Sequence, residues 1–457
     1  MRVDQCGYEV TGASAVGVDR YDAAVRSLLL FADDVGDAWE ATVADDPGFV
    51  LGHVGRAYLR CLSSEAPDAA EARTILDDIA DVARVSDRER QHVDAARAYA
   101  TGDLHGAGER LAALTIEYPR DVLALAVGHQ LDFFCGDAVG LRDRTGRVLL
   151  AWDQHHPLFG FVLGMHAFGL EECNLYPQAE AVGMRALAAE PRDVWALHAV
   201  VHVHEMQARI EAGLRFMDDR RADWSTGNFF VVHNAWHEAL FRLEAGDTDG
   251  ALAIYDTTLH NEHSAKVALE MLDATALLWR MHLDGLDVAD RWSTLADAWA
   301  DKTEDESWYV FYDTHAAMAY VAAGRLDHAR ALVARLRDYS HSTQTNVANV
   351  TMTANVGLPA CEAILAFAEG RYVDATTSLH PIRKIVHRFG GSNAQRDAVA
   401  RTLLEATIRA GQPKLAEALV SERLALKNDS PYNRRQLTRI HQGDAFGANR
   451  PLVTTTA

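Results

Sequence analysis

Apolar residues recur along this chain mostly at three- and four-residue intervals, the spacing of one face of an α-helix, and no stretch keeps the alternation of a strand. Only 11 prolines interrupt 457 residues. The segment around Gly160–Asp193 is typical, with two amphipathic runs separated by a short polar turn. The pattern predicts an all-α protein.

A finer register runs through the helices. Ala is followed seven residues on by Gly or Asn and five further by Ala, as Ala95/Gly102/Ala107, Ala167/Asn174/Ala179, Ala239/Gly246/Ala251, Ala317/Gly324/Ala329 and Ala363/Gly370/Ala375. A degenerate copy, Leu404/Gly411/Ala416, closes the series. Small side chains let two helices approach closely, and Gly or Asn supplies the left-handed residue that ends the first. Pro119 and Pro191, twelve residues after Ala107 and Ala179, stop the second helix. These are the positions of the tetratricopeptide motif. Copies 72 residues apart imply divergent pairs between them, around Leu125–Leu150 and Trp195–Trp224. The expected fold is a tetratricopeptide-like right-handed α-solenoid of antiparallel helix pairs, with a curl around a central pocket as one form of it. Expected boundaries are 1–90 for divergent N-terminal repeats, 91–430 for the array and 431–457 for a poorly ordered tail.

Composition adds limits. The formal net charge of −21 argues against nucleic acid and against anionic membrane surfaces as partners. Cys6, Cys61, Cys135, Cys173 and Cys361 form no CxxC pair, which suits a reducing compartment. The N-terminus lacks a basic and apolar leader, and no apolar run approaches the roughly 18 residues of a membrane span. A cytoplasmic location is expected.

Several blocks together resemble the tetratricopeptide repeat protein 38-like family: GMHAFGLEE from Gly164, WALHAVVHVHEM from Trp195, HNAWHEALF from His233, IYD ending at Asp256 and GGSNAQRD from Gly390. They span most of residues 90–425. The resemblance implies a helical solenoid and no established reaction. One departure is His166, where the family more often carries tyrosine.

Candidate chemistry gathers in those blocks. His198 and His202 are four apart and so share one helix face, and His233 and His237 repeat the spacing. Such pairs can offer two nitrogens to one divalent metal, zinc or iron, with Glu205, Glu238, Asp256 and Asp313 as candidate carboxylates and His315 as a further ligand. Counted in the repeat register, His198, His202 and Glu205 take the fifth, ninth and twelfth places, and His233 and Trp236 the second and fifth. These places line the concave face. The competing reading is that the histidines are hydrogen-bonded core residues. Trp195 and Trp236 could wall an apolar pocket, or simply be core. Ser392 and Gln395 have the capping-box spacing, and a glycine-opened helix start with Arg396, oriented by Asp397, could seat an anion.

The functional expectation is a scaffold whose concave surface binds a small molecule through His198, His202, Glu205, His233, Trp236, His237, Gln395 and Arg396. The alternatives are a groove for a peptide or partner helix and a metal-dependent enzyme using the two HxxxH pairs, with homo-oligomerisation open. The Thr- and Asn-rich segment 337–358 is read as a lid or a long connection.

Overall fold

The computed structural model describes residues 2–79, 85–303 and 307–443. Its described residues form 25 α-helices and a single antiparallel pair of two-residue strands, Arg2–Val3 with Glu9–Val10. Helix follows helix through tight turns, and neighbours in sequence pack on one another, as 87–100 on 104–117, 159–172 on 176–189 and 358–368 on 372–382. First helices of successive pairs also touch: 50–61 meets 87–100, and 268–283 meets 310–322. This is the packing of a tetratricopeptide-type helical repeat.

The small-residue register is why the pairs close. Gly102, Asn174, Gly246, Gly324, Gly370 and Gly411 all have positive φ, between +60° and +85°. The alanines on either side of them are buried to 1% exposure or less. Gly136, Ala208 and Gly285 take the same left-handed conformation between the pairs that lack the motif. Three of the turns continue as Gly-Asp-x-x-Gly. Asp103, Asp137 and Asp247 each accept from the N–H three residues on, at 2.8–2.9 Å, capping the second helix. A Cβ on Gly106, Gly140 or Gly250 would run into the capping carboxylate, so a larger residue there would displace the cap.

Two compact units divide the chain. One comprises 1–203, 220–231 and 346–348; the other comprises 204–219, 232–345 and 349–457. The division falls inside the helix Val194–Met206.

Three expectations are corrected locally. Residues 337–358 are mostly helical rather than a lid: Leu326–Tyr339 runs into them, and Ala348–Met352, a π-turn at Thr353–Gly357 and Leu358–Ala368 follow. Burial overrides weak propensity there, since Thr353 and Val356 are fully enclosed. The stretch Ala348–Ala368 is long and apolar enough to cross a membrane, but 67% of its apolar window is buried inside the protein, as in a core helix. The expected tail begins with a helix, Pro431–His441, capped by Ser430 and held by Arg439 on Glu405 at 2.6 Å. Residues 444–457 lie outside the described residues.

Candidate functional site

The two histidine pairs fall one in each unit. In the first unit, Asp193 starts the helix 194–206 by accepting from the N–H groups of Trp195 and Ala196, at 3.1 and 2.9 Å. One turn in, the His198 ring stacks on Phe168 at 5.1 Å, with Trp195 at 5.1 Å and Phe230 at 5.2 Å. Trp195 donates its indole N–H to His129 Nε2 at 3.1 Å. Burial, and then Arg144, holds the His129 pKa down at about 3, so it is a neutral acceptor. His202 Nδ1 lies 3.3 Å from a Glu171 carboxylate oxygen. Glu171, Glu172 and His202, all buried, each offer a ligand atom within 4.8 Å of the others. His166 belongs elsewhere: its Nδ1 meets Thr145 Oγ1 at 2.9 Å.

The second unit carries a linear array. Glu205 Oε2 lies 2.8 Å from His237 Nδ1, and Asp273 Oδ2 lies 2.7 Å from His233 Nδ1. The two Nε2 atoms face each other at 3.3 Å. The order is therefore carboxylate, imidazole, imidazole, carboxylate. A carboxylate only accepts, so each ring places a proton on Nδ1. Asp273 Oδ1 is buried with no hydrogen-bond partner among the described residues. Trp236 packs beneath, stacked on His233 at 5.4 Å and edge-on to His237 at 4.8 Å. His237, Trp236 and Asp273 are fully enclosed, whereas the His233 side chain keeps 14% of its exposure and is the open end.

The helix 268–283 supplies the floor and is buried along almost its whole length. From it the Arg280 guanidinium lies 5.4 Å over the Trp236 ring. It donates to the carbonyls of Ala276 and Ala394, at 2.8 and 2.6 Å. Ala394 belongs to the GGSNAQRD block, so this arginine ties the block to the histidine helix. Glu270, one turn before Asp273, has its carboxyl pushed up to about 7 by burial and then by Asp273. His315 donates Nδ1–H to the Phe311 carbonyl at 2.8 Å, and burial brings it down to about 4.

The sequence candidates thus separate. Glu205 joins His237, and Glu238, Asp256 and Asp313 each have a partner of their own. Glu238 pairs with Arg242 at 2.9 Å one turn along its own helix. Asp256 pairs with Arg291 at 2.7 Å on the surface. Asp313 bonds the Ser307 hydroxyl, and burial raises it to about 6. Gln395 and Ser392 form a reciprocal capping box, at 3.0 and 3.2 Å. Arg396 bonds the Gly391 carbonyl and Asn393 Oδ1. Asp397 does not orient it. That carboxylate binds Arg401 and Arg423, both at 2.7 Å, because adjacent helix residues diverge while those four apart align. Asp273, Glu270, Glu171 and Arg280 were missed. Glu171 stands in the GLEE block, but Asp273 and Arg280 lie in an apolar run with nothing to mark them. Burial pushes the Cys6 and Cys61 thiols up to about 12, away from the thiolate form.

No family model matches the chain. Among solved structures it is similar to a human IFIT1 dimer with PPP-AAAA, at 15% identity and a TM-score of 0.40, covering 90% of this chain and 94% of that one. It is also similar to a monomeric IFIT1 mutant with Gppp-AAAA, at 13% identity and 0.41, covering 93% and 99%. A third is a human IFIT1 dimer with m7Gppp-AAAA, at 14% and 0.42, covering 93% and 94%.

Proposed function

We propose that this is a ligand-binding helical-repeat protein in which His233 and His237 hold a divalent transition metal, of the zinc or iron class, that a small-molecule ligand completes. The observation that carries this is the 3.3 Å approach of two Nε2 atoms whose rings are each tied to a carboxylate at Nδ1. With the protons on Nδ1, two lone pairs face each other, and something positive must lie between them. Two metal–nitrogen bonds of about 2.0–2.1 Å at a tetrahedral angle put their nitrogens roughly 3.3–3.4 Å apart. Imidazole suits zinc, iron, copper and nickel better than calcium or magnesium. Glu205 and Asp273 stand where outer carboxylates orient and strengthen metal-bound histidines. His233 and His237 supply two of the metal's ligands, and a small molecule enters from the open His233 side. A peptide groove has less support, because Trp236 and His237 are enclosed.

The competing reading is a single proton shared between the rings. Elemental analysis of the purified protein, followed by zinc titration against a chromophoric chelator, separates them. The metal reading requires at least one ion per chain, lost in His237→Ala. A chain that takes up no zinc, iron, copper or nickel with the histidines intact leaves only the shared proton.

A further inference from the structure

Arg280 is a buried cation that no acid claims. Its relative exposure is 1%. Of its five N–H donors, two go to the carbonyls of Ala276 and Ala394, and no carboxylate lies within ion-pair distance of it among the described residues. The acids whose fields reach it are already committed, Asp397 to Arg401 and Arg423, and Glu205 to His237. Arg401 and Arg423 add repulsion. Burial and that repulsion bring its pKa down to about 10. A guanidinium enclosed without a counter-charge is costly, and a ligand that supplies the charge offsets that cost.

Its surroundings have the polarity such a ligand would meet. Gly391, at φ +75°, presses against the Phe311 ring, where a Cβ would come within 2.5 Å. That close turn brings the start of the 17-residue helix Asn393–Arg409 onto Arg280, with the Ala394 carbonyl at 2.6 Å. The positive end of a helix favours an anion beside it. His315, on the same helix as Phe311, has a buried Nε2 with no hydrogen-bond partner among the described residues. Trp236 carries the Arg280 cation over its ring, with His233 stacked on it and His237 edge-on.

We propose that Arg280, at the opening of the 393–409 helix, receives a carboxylate of the small molecule bound at this site. The inference deepens the metal reading, since the ligand would carry an anionic group at Arg280 and a metal-binding group at His233 and His237. The three remaining donors lie in one plane, the fork that matches a planar carboxylate in two-point fashion.

The test uses the full chain and malonate as probe, with inorganic phosphate as second anion, titrated calorimetrically into metal-free protein. Malonate should bind at one site per chain and more tightly than phosphate. Arg280→Lys, which keeps the charge and loses the fork, should weaken malonate at least tenfold. A buried arginine can also be needed for folding, so the unaltered protein gives a second measurement: one arginine Nε–H resonance should move on adding malonate. Malonate that does not bind, binds Arg280→Lys equally well, moves no arginine resonance, or is outcompeted by equimolar phosphate overturns the inference. The two readings fail separately. Absence of zinc uptake sinks the metal site, whereas absence of malonate uptake by metal-free protein sinks the carboxylate site.

Discussion

At the scale of single residues, the chemistry lies in pairs that spacing within one helix cannot reveal. His233 and His237 are set four apart by their own helix, but what makes them more than core histidines is Asp273 on one ring and Glu205 on the other. Replacing Asp273 by Asn or Glu205 by Gln keeps volume and removes the charge behind the imidazole. Each should lower zinc affinity by about 10–100-fold, measured by chelator competition, with helical content unchanged by circular dichroism. Asp193 allows a different experiment. Its fully buried carboxyl caps the helix that bears His198, and burial pushes it up to about 8. In the unfolded chain it titrates near 4. Between about pH 4 and 8 the folded form keeps a proton that the unfolded form has lost. Folding stability from this group is therefore complete below pH 4 and falls as pH rises to 8, by up to about 1.4 kcal/mol per unit. Asp193→Asn keeps the cap and cannot ionise. Its thermal midpoint should match the parent at pH 4 and exceed it increasingly towards pH 8; a constant difference across that range would refute the neutral buried acid.

At the scale of the element, each helix pair that carries the motif depends on one left-handed residue and two small ones. Gly246 and Gly324 have φ of +85° and +74°; no atom lies within 4 Å of a Cβ at Gly246. Gly246→Ala should therefore cost about 1 kcal/mol through backbone strain alone, read as a small fall in the unfolding midpoint. Asn174→Gly at φ +60° should be neutral or slightly stabilising. Ser392→Ala removes one arm of the capping box at the 393–409 helix and should cost about 1 kcal/mol. This level was the most readable from sequence, because a turn that needs positive φ favours Gly or Asn wherever the chain lies, and Ala208 is the exception among these turns. What escaped notice was the Gly-Asp-x-x-Gly continuation, with the second glycine making room for the capping carboxylate. Element boundaries in 337–358 were misjudged for the opposite reason. Thr and Asn are weak helix formers, and only packing around Thr353 and Val356 makes that stretch helical.

At the scale of the molecule, a metal bound only by the folded chain must stabilise it. Zinc at a hundredfold excess over its dissociation constant should add about 2.7 kcal/mol, read as a higher thermal midpoint that excess chelator reverses. Sequence by itself determined the all-helical repeat, its turn positions, the capping box at Ser392 and the placement of each histidine pair on one helix face. All of these follow from local rules of backbone conformation and periodicity. Tertiary structure alone decided which acid meets which base. Asp273 comes to His233 across 40 residues. Glu205 comes to His237, and Asp397 goes to Arg401 and Arg423 rather than to Arg396. Arg280 is left without an acid among these groups because every neighbouring carboxylate is already engaged. Charge pairing inside a repeat is set by which helices stack, and residues tens of positions apart carry no mark of that in their spacing.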